Sequence, residues 1–511
     1  MFETAPIEPK SGSITNSTNF SRTAAESARK EIPFPLPITR PLPQPDTVLV
    51  RRRILETFSV IRRRFGSILK KRVLRQRTTT EEVARALRLS FEDLGATYLK
   101  FGQLIASSPG IFGEAISQEF RTCLDTGPAI PFWKVRKIVE RELGAPLEEI
   151  YDEFDSEPIA AASIAAVHRG RLTTGDEVAV KVVRPGVAST IATDIEIMEP
   201  LFSLLAKQIG VGLAGPLLQL LSGFSRQVAE ELNLENELRV MDYNRQLARA
   251  LGLKKILVPK TYPELSSTSV LTMEFVPGVA IDDLESITQF GFDPRPLIED
   301  LVKAWFVTAA RYGAFHGDVH AGNLIVIPDG RIAVLDWGIV GRLDERTRNF
   351  LRSLIAACLG DEEAWTTLVR LVREVYGQAA NEVFGPDDEP VVKWVRSTLE
   401  PILTKPFGEV NLSVFFTEPQ QRHAGKLEEE AKRRSLLEIV RMWRQRRRLR
   451  NLAESTGADT ASFDHGTFLL GKQLVYFERY GKLFLSDTPL LADTEFFSRL
   501  LDDDPIVFSQ D

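Results

Sequence analysis

The chain is 511 residues long, 43% hydrophobic and 26% charged, with a formal net charge of −6. That length exceeds a single core and implies roughly two to four domains. The small net charge excludes a nucleic-acid or membrane argument from bulk composition, and two cysteines, Cys123 and Cys358, exclude a disulfide framework and a zinc set while fitting a reducing compartment.

Residues 1–50 are rich in Ser, Thr, Asn and Pro and lack apolar periodicity, so they read as a disordered tail, with six prolines in 33–45. The polar, acidic start shows neither a basic-then-apolar leader nor an Arg-rich transit peptide. Residues 51–78 reverse that composition. Arg51, Arg52, Arg53, Arg62, Arg63, Arg64, Lys70 and Lys71 are opposed only by Glu56 and interleave with Ile54, Leu55, Phe58, Ile61 and Phe65. Apolar area to insert, with cations for headgroups, describes a helix lying on an anionic membrane. A basic helix packed on the protein's own acidic face is the competing reading.

Residues 79–145 read as a helical extension. Thr80-Glu81-Glu82 opens a helix, the periodicity continues from Phe91 to Leu99, and Lys100-Phe-Gly-Gln103 reads as a break. Helix resumes over 104–121 and again over 133–143. Residues 146–277 form the next unit. Ala160, Ala161, Ala162 and Ser163 begin an Ala-rich loop, and segments 169–172 and 178–183 flank a hairpin turn at Thr174-Gly175-Asp176. The apolar stretch 201–224 contains Lys207, Gln208, Pro216 and Gln219, and its clean part falls short of the ~20 residues a spanning helix needs. Residues 227–245 read as one helix carrying Glu230, Glu231, Glu235 and Glu237, followed by a strand that enters a turn at Pro277-Gly278.

Residues 278–375 hold the densest polar cluster. An apolar helix over 297–312 leads into Phe315-His-Gly-Asp318 and Asn323. Two short apolar runs around Pro328-Asp329-Gly330 make a hairpin, and Asp336-Trp337-Gly338 follows directly. Asp318, Asn323 and Asp336 thus meet at one end of the hairpin, where two carboxylates and an amide oxygen suit a hard cation such as Mg²⁺. Residues 376–511 read as a helical C-terminal region, with a second basic helix over 426–450 and another helix over 469–480.

Asp318…Asn323 with Asp336-Trp-Gly resembles the catalytic and metal loops of protein kinases, and Val178-Ala-Val-Lys181 resembles their phosphate-gripping strand. With Lys100-Phe-Gly-Gln103 upstream and the Ala-rich loop in place of a Gly-rich one, the chain resembles the UbiB/AarF family of atypical protein-kinase-like proteins from about Thr79 to Asp336. The resemblance implies an α+β, two-lobed protein-kinase-like fold with a helical N-terminal extension and a helical C-terminal region, binding ATP and Mg²⁺. By motif match Asp318 is the catalytic aspartate, and Asn323 and Asp336 are the metal ligands. Lys181 grips phosphates with Glu237 as its ion-pair partner. Ala160, Ala161, Ala162 and Ser163, with Glu274 and Val276 of the hinge, complete the ATP site. Lys100, Gln103 and Glu231 form the inhibitory motif, Lys100 pairing with Glu231; Leu469 to Tyr480 matches the family's final helix.

The implied function is an atypical kinase or ATPase acting in isoprenoid-quinone or lipid metabolism at a membrane surface. The alternative is a catalytically weak nucleotide-binding switch or scaffold of a membrane-associated biosynthetic complex. Expected partners are ATP and an anionic membrane surface or isoprenoid lipid; nucleic acid is disfavoured, and the expected location is cytoplasmic with peripheral membrane association. The sequence departs from the family's pattern at Asn233, which stands where an aspartate belongs, at Ala165-Ala166 in place of Gly-Gln, and at Trp337.

Overall fold

The computed structural model describes residues 33–45, 47–74, 76, 78–106, 114–120, 122, 130–209, 214–376, 384–410 and 465–502. The expected basic helix over 426–450 lies outside them, as do residues 1–32.

The N-terminal lobe is built on β1 (Tyr151–Phe154), β2 (Ala160–Ala161), β3 (Ala165–Leu172), β4 (Glu177–Val183) and β6 (Val270–Glu274). They form one antiparallel sheet in the order β1-β3-β4-β6, with β2 paired to β3. The β3–β4 turn is closed by Gly175 at φ +95°, a conformation that glycine adopts without Cβ strain. Side chains alternate along a strand. Val178, Val180 and Val182 therefore pack together on Val135, Ile138 and Val139 of a helix at Phe132–Leu143. Lys181, between two of these valines, faces the opposite way. Because β3 starts at Ala165, Ala165 and Ala166 belong to a strand and the Ala-rich loop is shorter than expected.

The C-terminal lobe carries β5 (Ile256–Leu257), β7 (Val279–Ala280), β9 (Leu324–Val326) and β10 (Ile332–Val334), in the order β5-β10-β9-β7. A separate ladder joins β8 (Ala314–His316) to β11 (Val340–Arg342). Trp305 centres the aromatic packing below the loops, with Phe315 at 5.0 Å and Phe306 and Phe477 at 5.1 Å between ring centroids. Sheet-based upper lobe and helical lower lobe make this a kinase-like fold.

The extension begins with α1 (Thr47–Val73), α2 (Thr80–Leu94) and α3 (Ala96–Ala106). Thr79 and Glu82 form a capping box at the start of α2. The break in helix falls at Gly95, φ +87°, which caps α2. Lys100 to Gln103 sits within α3, so the expected break there is corrected. Gly102 is required for packing, because a Cβ at this position would meet Phe120 Cδ1 at 2.9 Å. Phe101 and Phe224 meet edge to face at 5.3 Å, joining the extension to α4 (Ala214–Glu231) of the upper lobe.

Three further expectations change. The single helix over 227–245 is two: α4 ends at Glu231, and Asn233 caps α5 (Leu234–Ala250) by accepting from Glu235 N. Residues 33–45, read as part of a disordered tail, run extended along α5. There Ile38 N donates to Asn236 Oδ1 at 2.7 Å, Asn233 Nδ2 donates to Ile38 O at 3.3 Å, and Phe34 packs on Tyr243. The helix expected to be last, α6 (His465–Phe484), is followed by α7 (Thr494–Leu501). Among the described residues, no helix is long and apolar enough to cross a membrane.

The basic segment also turns partly inward. On α1, Thr57, Val60 and Phe65 are buried and Arg53 pairs with the buried Asp194 at 2.6 Å. Arg63 and Arg64 pair with Asp93, and Lys71 pairs with Glu82. Packing on the protein's own acidic groups therefore takes up much of this charge, leaving a narrower outward face.

Candidate active site

Lys181 is the centre of the cleft. Its ammonium lies 2.9 Å from Glu237 Oε2 and 2.9 Å from Asp336 Oδ1. Strand alternation aims it at α5, where Glu237 is 2% exposed. Glu237 stands in the first turn of that helix, where the unpaired N–H groups favour a carboxylate. Burial opposes the charge of Lys181, but Asp336 and Glu237 together hold it well above its usual range. Burial pushes Glu237 up to about 7, against the pull of Lys181. Asp336 is desolvated as well, yet Lys181 holds its carboxyl well below the usual carboxylate range. Its side chain is 45% exposed, so it fronts the cleft.

The β9–β10 hairpin places the other polar groups. Leu335 N donates to Asn323 O at 2.8 Å, which sets Asn323 and Asp336 on adjacent ends of the hairpin. Asn323 Nδ2 donates to Asp318 O at 3.0 Å, leaving Oδ1 as the acceptor of that amide. His316 clips the two loops together. It accepts from Asp318 N through Nδ1, so its Nε2–H donates to Leu335 O at 3.0 Å. Burial lowers the imidazole's pKa and favours this neutral form. Asp336 has φ +50°, the one positive φ of a non-glycine among the described residues, and such strain collects at functional loops.

Gly338 leaves room beside these carboxylates. A Cβ there would stand 3.2 Å from Asp336 Oδ1, 3.3 Å from Glu231 Cγ and 3.6 Å from Glu237 Oε2. Glu231 Oε2 is buried without a hydrogen-bond partner. The amide oxygen of Asn323 and the carboxylate of Asp336 fit a hard cation such as Mg²⁺, which they would hold with phosphate or water oxygens completing the shell.

Lys100 reaches from α3 to Glu231 Oε1 and forms a hydrogen-bonded ion pair whose side chains are 10% and 12% exposed. Burial raises the pKa of Glu231, with Lys100 pulling the other way. Gln103 lies half-buried on the same helix. Ala160 and Ala161 are in β2, while Ala162 N donates to Ala165 O to close a tight turn that includes the buried Ser163. Arg184 Nε holds the Ala162 carbonyl at 2.7 Å. Glu274 ends β6, with its N–H donating to Lys260 O, and Val276 follows half-buried in the connecting segment.

Sequence reasoning missed the contribution of α6. Lys472 lies 2.6 Å from Asp318 Oδ1 across 154 residues of chain. Gln473 grips the loop on both sides of that aspartate, donating to Gly317 O at 2.6 Å and accepting from Val319 N at 2.9 Å. Tyr480 adds a bond from its hydroxyl to Val319 O. The available signal was Gln473 itself, a polar residue at helical spacing between Leu469 and Phe477 on a buried face.

The ABC1 atypical kinase-like domain matches residues 122–368. An uncharacterized protein of Mycobacterium tuberculosis strain H37Rv is 41% identical over 281 residues, 55% of this chain and 57% of that protein. The chain thus spans little more than half the length of this relative. An uncharacterized aarF domain-containing protein kinase of Arabidopsis thaliana, described as chloroplastic, is 32% identical over 419 residues, 80% of this chain and 73% of the relative. A probable protein kinase UbiB of Azotobacter vinelandii is 32% identical over 370 residues, covering 70% of this chain and 66% of that one. A solved complex of Rv3197 with erythromycin from Mycobacterium tuberculosis is similar at a TM-score of 0.41 and 20% identity, over 71% of this chain and 85% of that one. On the match to the Arabidopsis relative and to the atypical kinase-like domain, this chain belongs to the UbiB/AarF family of atypical kinase-like proteins.

Proposed function

We propose that the cleft binds Mg-ATP and carries out phosphoryl transfer or ATP hydrolysis. The observation that carries this reading is the position of Lys181 between Glu237 and Asp336. One carboxylate is buried and fixes the ammonium, and the other fronts the cleft beside Asn323. Bound Mg²⁺ would neutralise charge on the phosphates and hold them in line. Lys181 would then exchange its contact with Asp336 for phosphate oxygens, and Asp318 would orient the attacking hydroxyl or water. Ala162 in a tight turn pinned by Arg184 favours a nucleotide held differently from one under a glycine loop, since alanine forgoes both close backbone approach and φ above zero.

Lys100 and Glu231 hold α3 at the cleft, which restricts access by a large peptide and favours a small or lipid acceptor. We extend this reading to isoprenoid-quinone or lipid metabolism at an anionic membrane, a role taken from the family resemblance and supported in this chain only by that restriction and the outward face of α1. A catalytically weak nucleotide switch is the second reading, favoured by Asn233, which caps α5 where the family's pattern has a carboxylate near the site. An ATPase assay on the purified chain, with and without anionic vesicles, separates the two. Mg-dependent turnover lost in Asp318→Asn supports the enzyme; Mg-ATP binding without turnover supports the switch; neither binding nor turnover sinks both.

A further inference from the structure

The atypical kinase-like domain match ends at residue 368, before α6, yet side chains of α6 make direct contacts with the loop that carries Asp318. Lys472 Nζ takes Oδ1 at 2.6 Å, and its side chain is 12% exposed. Asp318 is 21% exposed, and the His320 imidazole lies 3.9 Å from its other oxygen, Oδ2. Gln473, the next residue, fixes the backbone at Gly317 and Val319. The Tyr476 ring, one turn further on, lies 5.9 Å from the ammonium. A largely covered lysine and a buried glutamine, adjacent on one helix, therefore hold both the carboxylate and its backbone.

We infer that Lys472 is a positioning residue of the phosphoryl-transfer centre: it holds Asp318 by one oxygen and keeps that carboxylate from serving as a cation ligand. The inference rests on the reading of Asn323 and Asp336 as the cation's ligands and adds a division of labour between the two aspartates. Asp336 is exposed to the cleft and pairs with a lysine that phosphate can draw away. Asp318 pairs with a lysine from a helix packed in the lower lobe. Without Lys472, Asp318 would present an uncompensated carboxylate near Asp336, and a cation held by Asp336 and Asn323 would draw it away from the nucleophile.

The test is Mn²⁺ binding without nucleotide, followed by paramagnetic resonance on the full chain, beside steady-state ATP turnover. Lys472→Met and Lys472→Gln should tighten Mn²⁺ binding about tenfold or more, the scale on which one neighbouring cation perturbs a carboxylate. Turnover should fall about a hundredfold, the cost of a displaced catalytic group, with the KM for Mg-ATP nearly unchanged. Lys472→Arg keeps the charge and should keep the wild-type Mn²⁺ affinity. Folded Met and Gln variants with wild-type Mn²⁺ affinity overturn the inference, as does an Arg variant that behaves like Met. Wild-type protein that binds Mn²⁺ but never turns over ATP would remove the enzymatic reading alone, because the Mn²⁺ comparison still decides the role of Lys472.

Discussion

The cleft residues differ in how firmly their neighbours fix them, and that difference sets what each substitution should do. Asp336 fronts the cleft, so Asp336→Asn should leave the fold intact while removing the Mg-dependent part of ATP stabilisation. At a ligand concentration a hundred times Kd that stabilisation is about 2.7 kcal/mol, readable as a thermal shift; an undiminished shift in the variant removes Asp336 from the ligand set. Glu237 is buried, and its ionisation is coupled to folding. Its folded pKa is raised to about 7 from a usual 4.5, so between these values the native chain holds a proton that the unfolded chain has lost. The stability this contributes is full below pH 4.5 and is lost as pH rises through 7. Glu237→Gln should therefore flatten the urea midpoint across that window, and a slope identical to wild type would refute the raised pKa. The convergence of Asp318, Asn323 and Asp336 was legible because one short hairpin fixes their spacing, whereas Lys181 was read from the resemblance of its strand to that of kinases. Lys472 was not legible, since its partner lies 154 residues away and no local pattern pairs them.

At the scale of elements, hairpins were easier to read than helix ends. Gly175 and Pro328-Asp329-Gly330 carry turn chemistry that only a few backbone conformations satisfy. The helix ends at Gly95 and Asn233 were obscured because apolar periodicity continues across both. Asn233 also explains its own departure from an expected aspartate: its Nδ2 donates to Ile38 O, a bond that a carboxylate cannot make. The α3 helix offers the sharpest test at this scale. Lys100 and Glu231 are both nearly buried, so removing one partner leaves an uncompensated charge at a cost of about 3–5 kcal/mol. Lys100→Ala should destabilise the chain on that scale and alter nucleotide turnover, whereas Lys137→Ala, at an exposed position of the Phe132–Leu143 helix, should stay within about 0.5 kcal/mol. A double-mutant cycle with Glu231→Gln measures their coupling, and simple additivity would mean that the pair does not anchor α3.

Across the whole molecule, elements far apart in sequence converge on one cleft: α3 brings Lys100, β4 brings Lys181, α6 brings Lys472, and residues 33–45 brace α5 from outside. These cations stand against Glu231, Glu237, Asp318 and Asp336, so the arriving phosphates of a nucleotide would meet lysines already in place. The remaining question at this scale is where α1 directs its outer face. With Arg53, Arg63, Arg64 and Lys71 paired inside the molecule, the outward stripe is Val48, Arg51, Arg52, Leu55, Phe58 and Arg62. Leu55 is 72% and Phe58 58% exposed, an unusual pairing of large apolar side chains with free cations on one helical face. A membrane would cover both kinds of group, and each cation near an anionic surface contributes about 1 kcal/mol. The full chain should therefore co-sediment with phosphatidylglycerol-containing vesicles and not with pure phosphatidylcholine, and salt should weaken the binding. Charge reversal at Arg51, Arg52 and Arg62 should abolish it, while Leu55→Ser with Phe58→Ser should weaken it without changing its response to salt. Equal binding to neutral and anionic vesicles, or none to either, would leave α1 as a structural brace of the extension through Arg53 and Asp194 and nothing more.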